Sequence, residues 1–139
     1  MQIDETFEIE APRHEVFEML ESFERFPEFM TGVQSVFAET KERLRWRTAI
    51  RGVPETFYAV ITEREQDELI AWMSVDATTL AFSARLVELS RARTSVTLHV
   101  RLSPLAGVSP EAPELDELAV RCDFQRLRRL VEPLPAIAA

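Results

Sequence analysis

One cysteine, Cys122, occurs in 139 residues. That scarcity excludes an intrachain disulfide and makes a reducing compartment the expected setting. Long apolar runs are missing too. No stretch approaches the ~20 consecutive apolar residues of a membrane-spanning helix, so no integral membrane segment is expected. The opening residues, MQIDETFEIEAP, carry acids where a secretory leader would carry bases and then an apolar block. A cytoplasmic protein is the expectation. Basic blocks are few: 24 acids face 16 bases, for a formal charge of −8. A phosphate backbone is repelled by that balance, and nucleic acid is not an expected partner, although RLRWR and QRLRR gather arginines locally.

Recognisable chemistry is equally sparse. His14 and His99 are the two histidines, and neither has a companion at metal-ligand spacing, so no metal site is expected. The sequence shows no Gly-rich phosphate loop, no nucleophile elbow and no Ser/His/Asp arrangement. No cofactor is called for and no catalytic residue stands out. His14 lies among charged residues and reads as a surface histidine. His99 is opposite in parity to its apolar neighbours Leu98 and Val100, which puts it on a wet sheet face.

What is present is periodicity. At 139 residues and 46% apolar content, the chain is large enough for one core. Gln2 to Glu10 alternates, with Ile3, Phe7 and Ile9 on one face, and reads as a strand. Pro12 suits the first turn of a helix, and Val16, Phe17, Leu20 and Phe23 follow at helical spacing. Pro27 interrupts it, so Glu24 to Met30 is expected as a second short helix at an angle. After Gly32 the period becomes two. Strands are expected over Val33–Glu39, Arg43–Arg51, Glu55–Glu65, Leu69–Val75, Thr79–Glu88 and Thr94–Leu102, with links short enough for antiparallel hairpins. Ser103 to Pro113, with three prolines and a glycine, reads as a loop. Glu114 to Glu132 is a long amphipathic helix whose apolar stripe is Leu115, Leu118, Ala119, Cys122, Leu127 and Leu130 or Val131, with Phe124 at its border. The fold class is α+β: a seven-stranded antiparallel sheet, two short helices after the first strand, and a long C-terminal helix covering the apolar face. The first two strands lie far apart in the sheet, bridged by the helix pair. One domain is expected over residues 1–135, followed by a tail at 136–139.

These elements carry a resemblance. IEAPRHEVFEMLESFERFPEFMTGVQSV (Ile9–Val36), WRTAIRG (Trp46–Gly52), YAVITEREQDELIAWMS (Tyr58–Ser74) and TSVTLHVRLSP (Thr94–Pro104) together resemble the polyketide cyclase/dehydrase and lipid-transport family of the START-like, SRPBCC helix-grip superfamily. The resemblance covers nearly the whole chain. It implies a curved sheet gripping the last helix, an elongated apolar cavity between them, and a small hydrophobic ligand of polyketide, quinone or lipid type. It equally admits an aromatase/cyclase or dehydratase acting on a polyketide intermediate, or a protein-interaction module of chaperone- or ribosome-associated type. Acid–base cyclisation needs a positioned donor and acceptor, and no residue compels it; binding is the leading expectation.

Alternation picks out the lining. Leu44, Trp46, Thr48 and Ile50 share the inward face while Arg45, Arg47 and Arg51 face solvent. Phe57, Ala59 and Ile61, then Ile70, Trp72 and Ser74, then Leu80, Phe82, Ala84 and Leu86, also point inward, as do Val96, Leu98, Val100 and Leu102. Asp76 reads as a turn residue. The candidate ligand-binding residues are Phe26, Phe29, Met30, Trp46, Thr48, Ile50, Phe57, Trp72, Ser74, Phe82, Phe124, Leu127 and Arg128. The tryptophans offer flat area and an N–H donor each. Thr48 and Ser74 offer hydroxyls, and Arg128 a guanidinium for a ligand carboxylate or phenolate, though a surface ion pair competes for it. In FERFPEFM, Phe23 and Phe26 are expected to anchor the core, with Phe29 and Met30 bordering the cavity mouth. The expected partner is a small hydrophobic molecule, and the protein is a monomer or a homodimer through edge strands.

Overall fold

A computed structural model describes residues 2–50, 53–75, 80–102 and 113–132. In chain order the elements are β1 (Gln2–Ile9), α1 (Arg13–Glu21), a 3₁₀ segment (Phe23–Glu28), β2 (Val33–Ala38), β3 (Arg43–Ile50), β4 (Val53–Glu65), β5 (Leu69–Ser74), β6 (Leu80–Ser90), β7 (Arg93–Leu102) and α2 (Pro113–Val131). Seven strands form one antiparallel sheet in the order β1-β7-β6-β5-β4-β3-β2. The first two strands occupy opposite edges, and α1 with the 3₁₀ segment spans the distance between them. The tail at 136–139, the 103–112 loop, Asp76 and the side chains of Ile50, Leu80, Leu102, Leu115, Leu118 and Ala119 lie outside the described residues.

Local chemistry explains the connections. Pro12 holds the position just before α1 with φ −59°, and its carbonyl accepts from the Val16 N–H at 3.2 Å. Ser22 ends the helix by donating its hydroxyl to the Glu18 carbonyl at 2.5 Å. Pro27 lacks an N–H to continue an α-helix, and the chain tightens into the 3₁₀ segment instead of a second α-helix. Gly32 adopts φ 86°, which a β-carbon would oppose, and its carbonyl then receives the Ala49 N–H at 2.7 Å. In the β4–β5 turn Asp67 takes φ 61°, a conformation that Asp tolerates better than most; its carboxylate meets His14 at 2.9 Å.

One face of the sheet is the core wall. Leu44, Trp46, Phe57, Ala59, Ile70, Trp72, Phe82, Ala84, Leu86, Val96, Leu98 and Val100 are all buried, in the parity that alternation dictates. Register shifts at Val33/Ser35, Ile61/Glu63 and Glu88/Ser90 are bulges of the kind that bend strands and curve the sheet toward α2.

Candidate functional site

The interior is built around a continuous run of aromatic rings. Trp46 on β3 pairs across the ladder with Phe57 on β4, and Trp72 on β5 with Phe82 on β6. Phe57 and Ile61 set the levels of the two tryptophans on β4, with Ala59 between them. Because Ala59 contributes only a methyl group, the two indoles meet across the strand that separates them, with ring centroids 4.7 Å apart and planes 30° apart. The run continues from Trp72 to Phe82 (5.3 Å), to Phe124 on α2 (6.2 Å) and to Phe7 on β1 (6.0 Å). At its other end Phe57 lies nearly parallel to Trp46 at 5.9 Å, and Phe26 meets the same indole edge-on at 5.5 Å.

FERFPEFM supplies the plug. Side chains at i and i+3 eclipse in a 3₁₀ helix, so Phe23, Phe26 and the following Phe29 line up, with successive centroids 5.3 and 4.8 Å apart. All three are buried. Phe29 belongs to the packed cluster, and Met30 is partly buried against it.

Trp46 and Trp72 are each 1% exposed. Their indole nitrogens are buried without a hydrogen-bond partner among the described residues. An unsatisfied buried donor costs about 1–3 kcal/mol, and native interiors rarely leave one unexplained. Thr48 and Ser74 follow the tryptophans by one inward position on their strands and are buried as well. Leu127 and Phe124 close this wall from α2. The described polar side chains lining it are thus N–H and O–H groups without a charge.

Helix α2 keeps Leu127 inward and Val131 against the core, as expected, and departs from the expected stripe at Cys122. Asp123, Phe124 and Leu127 are buried, whereas Cys122 is exposed and Leu130 is largely so. The reason is tertiary. The Thr31 hydroxyl donates to Asp123 Oδ1 at 2.7 Å, and Arg126 Nη1 donates to the same oxygen at 3.0 Å and to Thr31 Oγ1 at 2.7 Å. Burial raises the Asp123 pKa above 3.8, opposed by the Thr31 hydrogen bonds and the Arg126 charge. On the opposite side α2 is fastened to β1. Arg121 pairs with Glu5 at 3.2 Å, and Glu132 accepts the Glu10 N–H at 2.8 Å. Arg128 donates Nε and Nη2 to the Glu8 carbonyl at 3.0 and 2.6 Å and Nη1 to Gln125 at 3.2 Å. Its guanidinium is thereby committed to the edge strand and does not join the polar groups beside the tryptophans. His14 bonds Asp67 and Glu18 on the surface. His99 faces outward and meets Asp4.

Thr31, Asp123 and the gap at Ala59 are what sequence reasoning missed or passed over. The signal for Ala59 was available: one small residue between two inward bulky ones, flanked by strands bearing tryptophan.

Comparison with known proteins gives a family from the sequence and a fold from solved structures. The sequence model of "Polyketide cyclase / dehydrase and lipid transport" matches residues 9–115. A protein of Streptomyces lincolnensis, "Uncharacterized 17.2 kDa protein in melC2-rnhH intergenic region", is 36% identical over 74 residues, 53% of this chain. The match spans about half, 49%, of that relative's length. A START superfamily protein from Mycobacterium smegmatis superposes with a TM-score of 0.77 at 16% identity, covering 94% of this chain and 96% of its own. The Zhui aromatase/cyclase of Streptomyces sp. R1128 does so with a TM-score of 0.67 at 17% identity, covering 94% and 90%. No helix among the described residues is long and apolar enough to cross a membrane.

Proposed function

Because the chain belongs to the polyketide cyclase/dehydrase and lipid transport family and has its START-like fold, we propose that it binds a flat, hydrophobic small molecule carrying oxygen acceptors. A polyketide- or quinone-like compound fits best, held between the sheet and α2. The observation that carries this reading is the pair of buried indole N–H groups at Trp46 and Trp72 without partners among the described residues. A ligand carbonyl or phenol oxygen reaching them gains about 0.5–1.5 kcal/mol per bond, while the ligand's ring extends the stack of aromatic rings. Thr48 and Ser74 add hydroxyls beside each tryptophan. Phe26, Phe57, Phe82, Phe124 and Leu127 form the apolar wall, with Met30 at its border.

Binding is favoured over catalysis as a cyclase or dehydratase. Proton transfer needs a titratable group within reach of the substrate. Among the described residues the buried candidate is Asp123, and its carboxylate is already taken up by Thr31 and Arg126.

The test is a fluorescence titration of the full chain with a panel of naphthoquinone, anthraquinone, a flavonoid and a fatty acid. Saturable quenching by the flat oxygenated members, weakened in Trp46→Phe and Trp72→Phe, supports the proposal. Absence of saturable quenching by every member refutes it.

A further inference from the structure

The outer face of the sheet carries an arrangement that the sequence order hides. Strand register places Asp4 on β1 opposite His99 on β7, and His99 opposite Ser83 on β6. All three side chains share the outward parity, so an acid, an imidazole and a hydroxyl form one row across three adjacent strands. His99 Nδ1 lies 2.5 Å from Asp4 Oδ1. That leaves Nε2 as the ring's available nitrogen, with Ser83 the cross-strand neighbour on the side away from Asp4. The hydrogen bond to His99 is the largest cause of a lowered Asp4 pKa, so the aspartate is ionised and suited to hold the imidazole in one tautomer. Directly opposite residues on antiparallel strands have Cβ atoms about 4.5–5.5 Å apart, a span that rotation of the Ser83 hydroxyl and the His99 ring can close to a hydrogen bond. Such contacts are often loose before substrate arrives.

A groove of about 250 Å³ opens beside Ser83 and His99, lined also by Arg101, Met73, Ala71 and Ala81 among others. The two alanines leave room on the floor, and Met73 supplies an apolar side. Arg101 follows His99 by two residues on the same face and brings a cation to the groove.

We propose that Asp4, His99 and Ser83 form a second site on this protein, one that cleaves small esters with an apolar acyl group, independently of the interior. In the first step the Ser83 hydroxyl oxygen adds to the ester carbonyl carbon while His99 Nε2 takes its proton. The carbon–oxygen bond to the alcohol then breaks, and the imidazolium returns the proton to the departing oxygen. Water repeats the sequence on the acyl-serine, so ester and water give acid and alcohol. Arg101 faces the negative oxygen of the tetrahedral species. Asp4 is a positioning residue that acts through the imidazole.

The probes are a fluorophosphonate, with labelled peptides mapped by mass spectrometry, and p-nitrophenyl acetate, each applied to the full chain. The expected result is label on Ser83, reduced at least tenfold by His99→Ala and by Asp4→Asn, and abolished by Ser83→Ala. p-Nitrophenyl acetate hydrolysis falls in parallel. Absence of label on Ser83, label insensitive to His99→Ala, or hydrolysis that persists in Ser83→Ala overturns the proposal. Circular dichroism confirms that the exposed variants are folded. Quinone quenching of the tryptophans, unchanged in Ser83→Ala, keeps this outcome separate from that of the interior site.

Discussion

Replacing Trp72 by Phe tests the meaning of the unpartnered indoles. The smaller ring gives up about 2 kcal/mol of apolar burial at ~0.8 kcal/mol per carbon. Against that stands the removal of a buried N–H with no acceptor among the described residues, whose burial costs about 1–3 kcal/mol. The two effects nearly cancel, and the ligand-free variant should unfold within about 1 kcal/mol of the parent, a shift of roughly 3–5 °C at most for a chain of this size. A tryptophan with a satisfied N–H would lose both the burial and its hydrogen bond, about 3 kcal/mol together. Urea unfolding followed by far-UV circular dichroism measures the difference, and Trp46 remains as the reporter for ligand titration. In that titration the variant should bind an anthraquinone about 2–12-fold more weakly, the loss of one hydrogen bond. A destabilisation of about 3 kcal/mol or more with unchanged affinity would refute the reasoning: the N–H would then be satisfied within the protein and have no part in binding.

Three further outcomes follow from the same geometry. Ala59→Leu forces a branched side chain between the two indoles; it should destabilise the chain by about 1–3 kcal/mol and weaken quinone binding, both readable in one thermal-shift series with and without ligand. Asp123 has its pKa raised by burial, so the protonated carboxyl is the better-tolerated form, and the stability it contributes is full below 3.8 and lost as pH rises through the raised value. Asp123→Asn should therefore be at least as stable as the parent at pH 7.5, with the advantage gone at pH 3.5; a lower melting temperature at pH 7.5 contradicts this. His14 is raised above 6.5 chiefly by its hydrogen bond with Asp67, whose own pKa is lowered by the same bond. The pair's contribution is complete between these values, lost as pH rises through the raised His14 pKa and as it falls through the lowered Asp67 pKa. In an NMR titration His14 should ionise above 6.5 and move back toward it in Asp67→Asn.

The sheet was legible because alternation is a strong constraint. Shifting a strand by one residue would send Trp46 to solvent and Arg45 to the core, so the sequence admits one parity and the structure adopts it. The bridging pair was legible as two helices, but not the 3₁₀ geometry that aligns Phe23, Phe26 and Phe29 after Pro27 removes a donor. On α2 the places of Cys122 and Asp123 were misread because a hydrophobicity pattern assigns cysteine inward and aspartate outward. The decisive partner, Thr31, lies 92 residues away and leaves no local signature. Arg128 was ambiguous for a similar reason: only the position of the β1 edge decides whether a guanidinium faces a ligand or the Glu8 carbonyl. The outer row of Asp4, His99 and Ser83 required pairings 95 residues and one hairpin apart, and only the strand register brings them side by side.

The contact between Trp46 and Trp72 also has an optical consequence. Two indoles with centroids 4.7 Å apart and planes 30° apart are close enough for their electronic transitions to mix, so light absorbed by one is shared with the other. The folded chain should show a paired positive and negative band in its circular dichroism where tryptophan absorbs strongly in the ultraviolet. That couplet should vanish when either ring is replaced, even where stability is untouched. It reads the spacing over Ala59 directly: a guest that spreads the rings flattens the couplet, and one that presses them together deepens it.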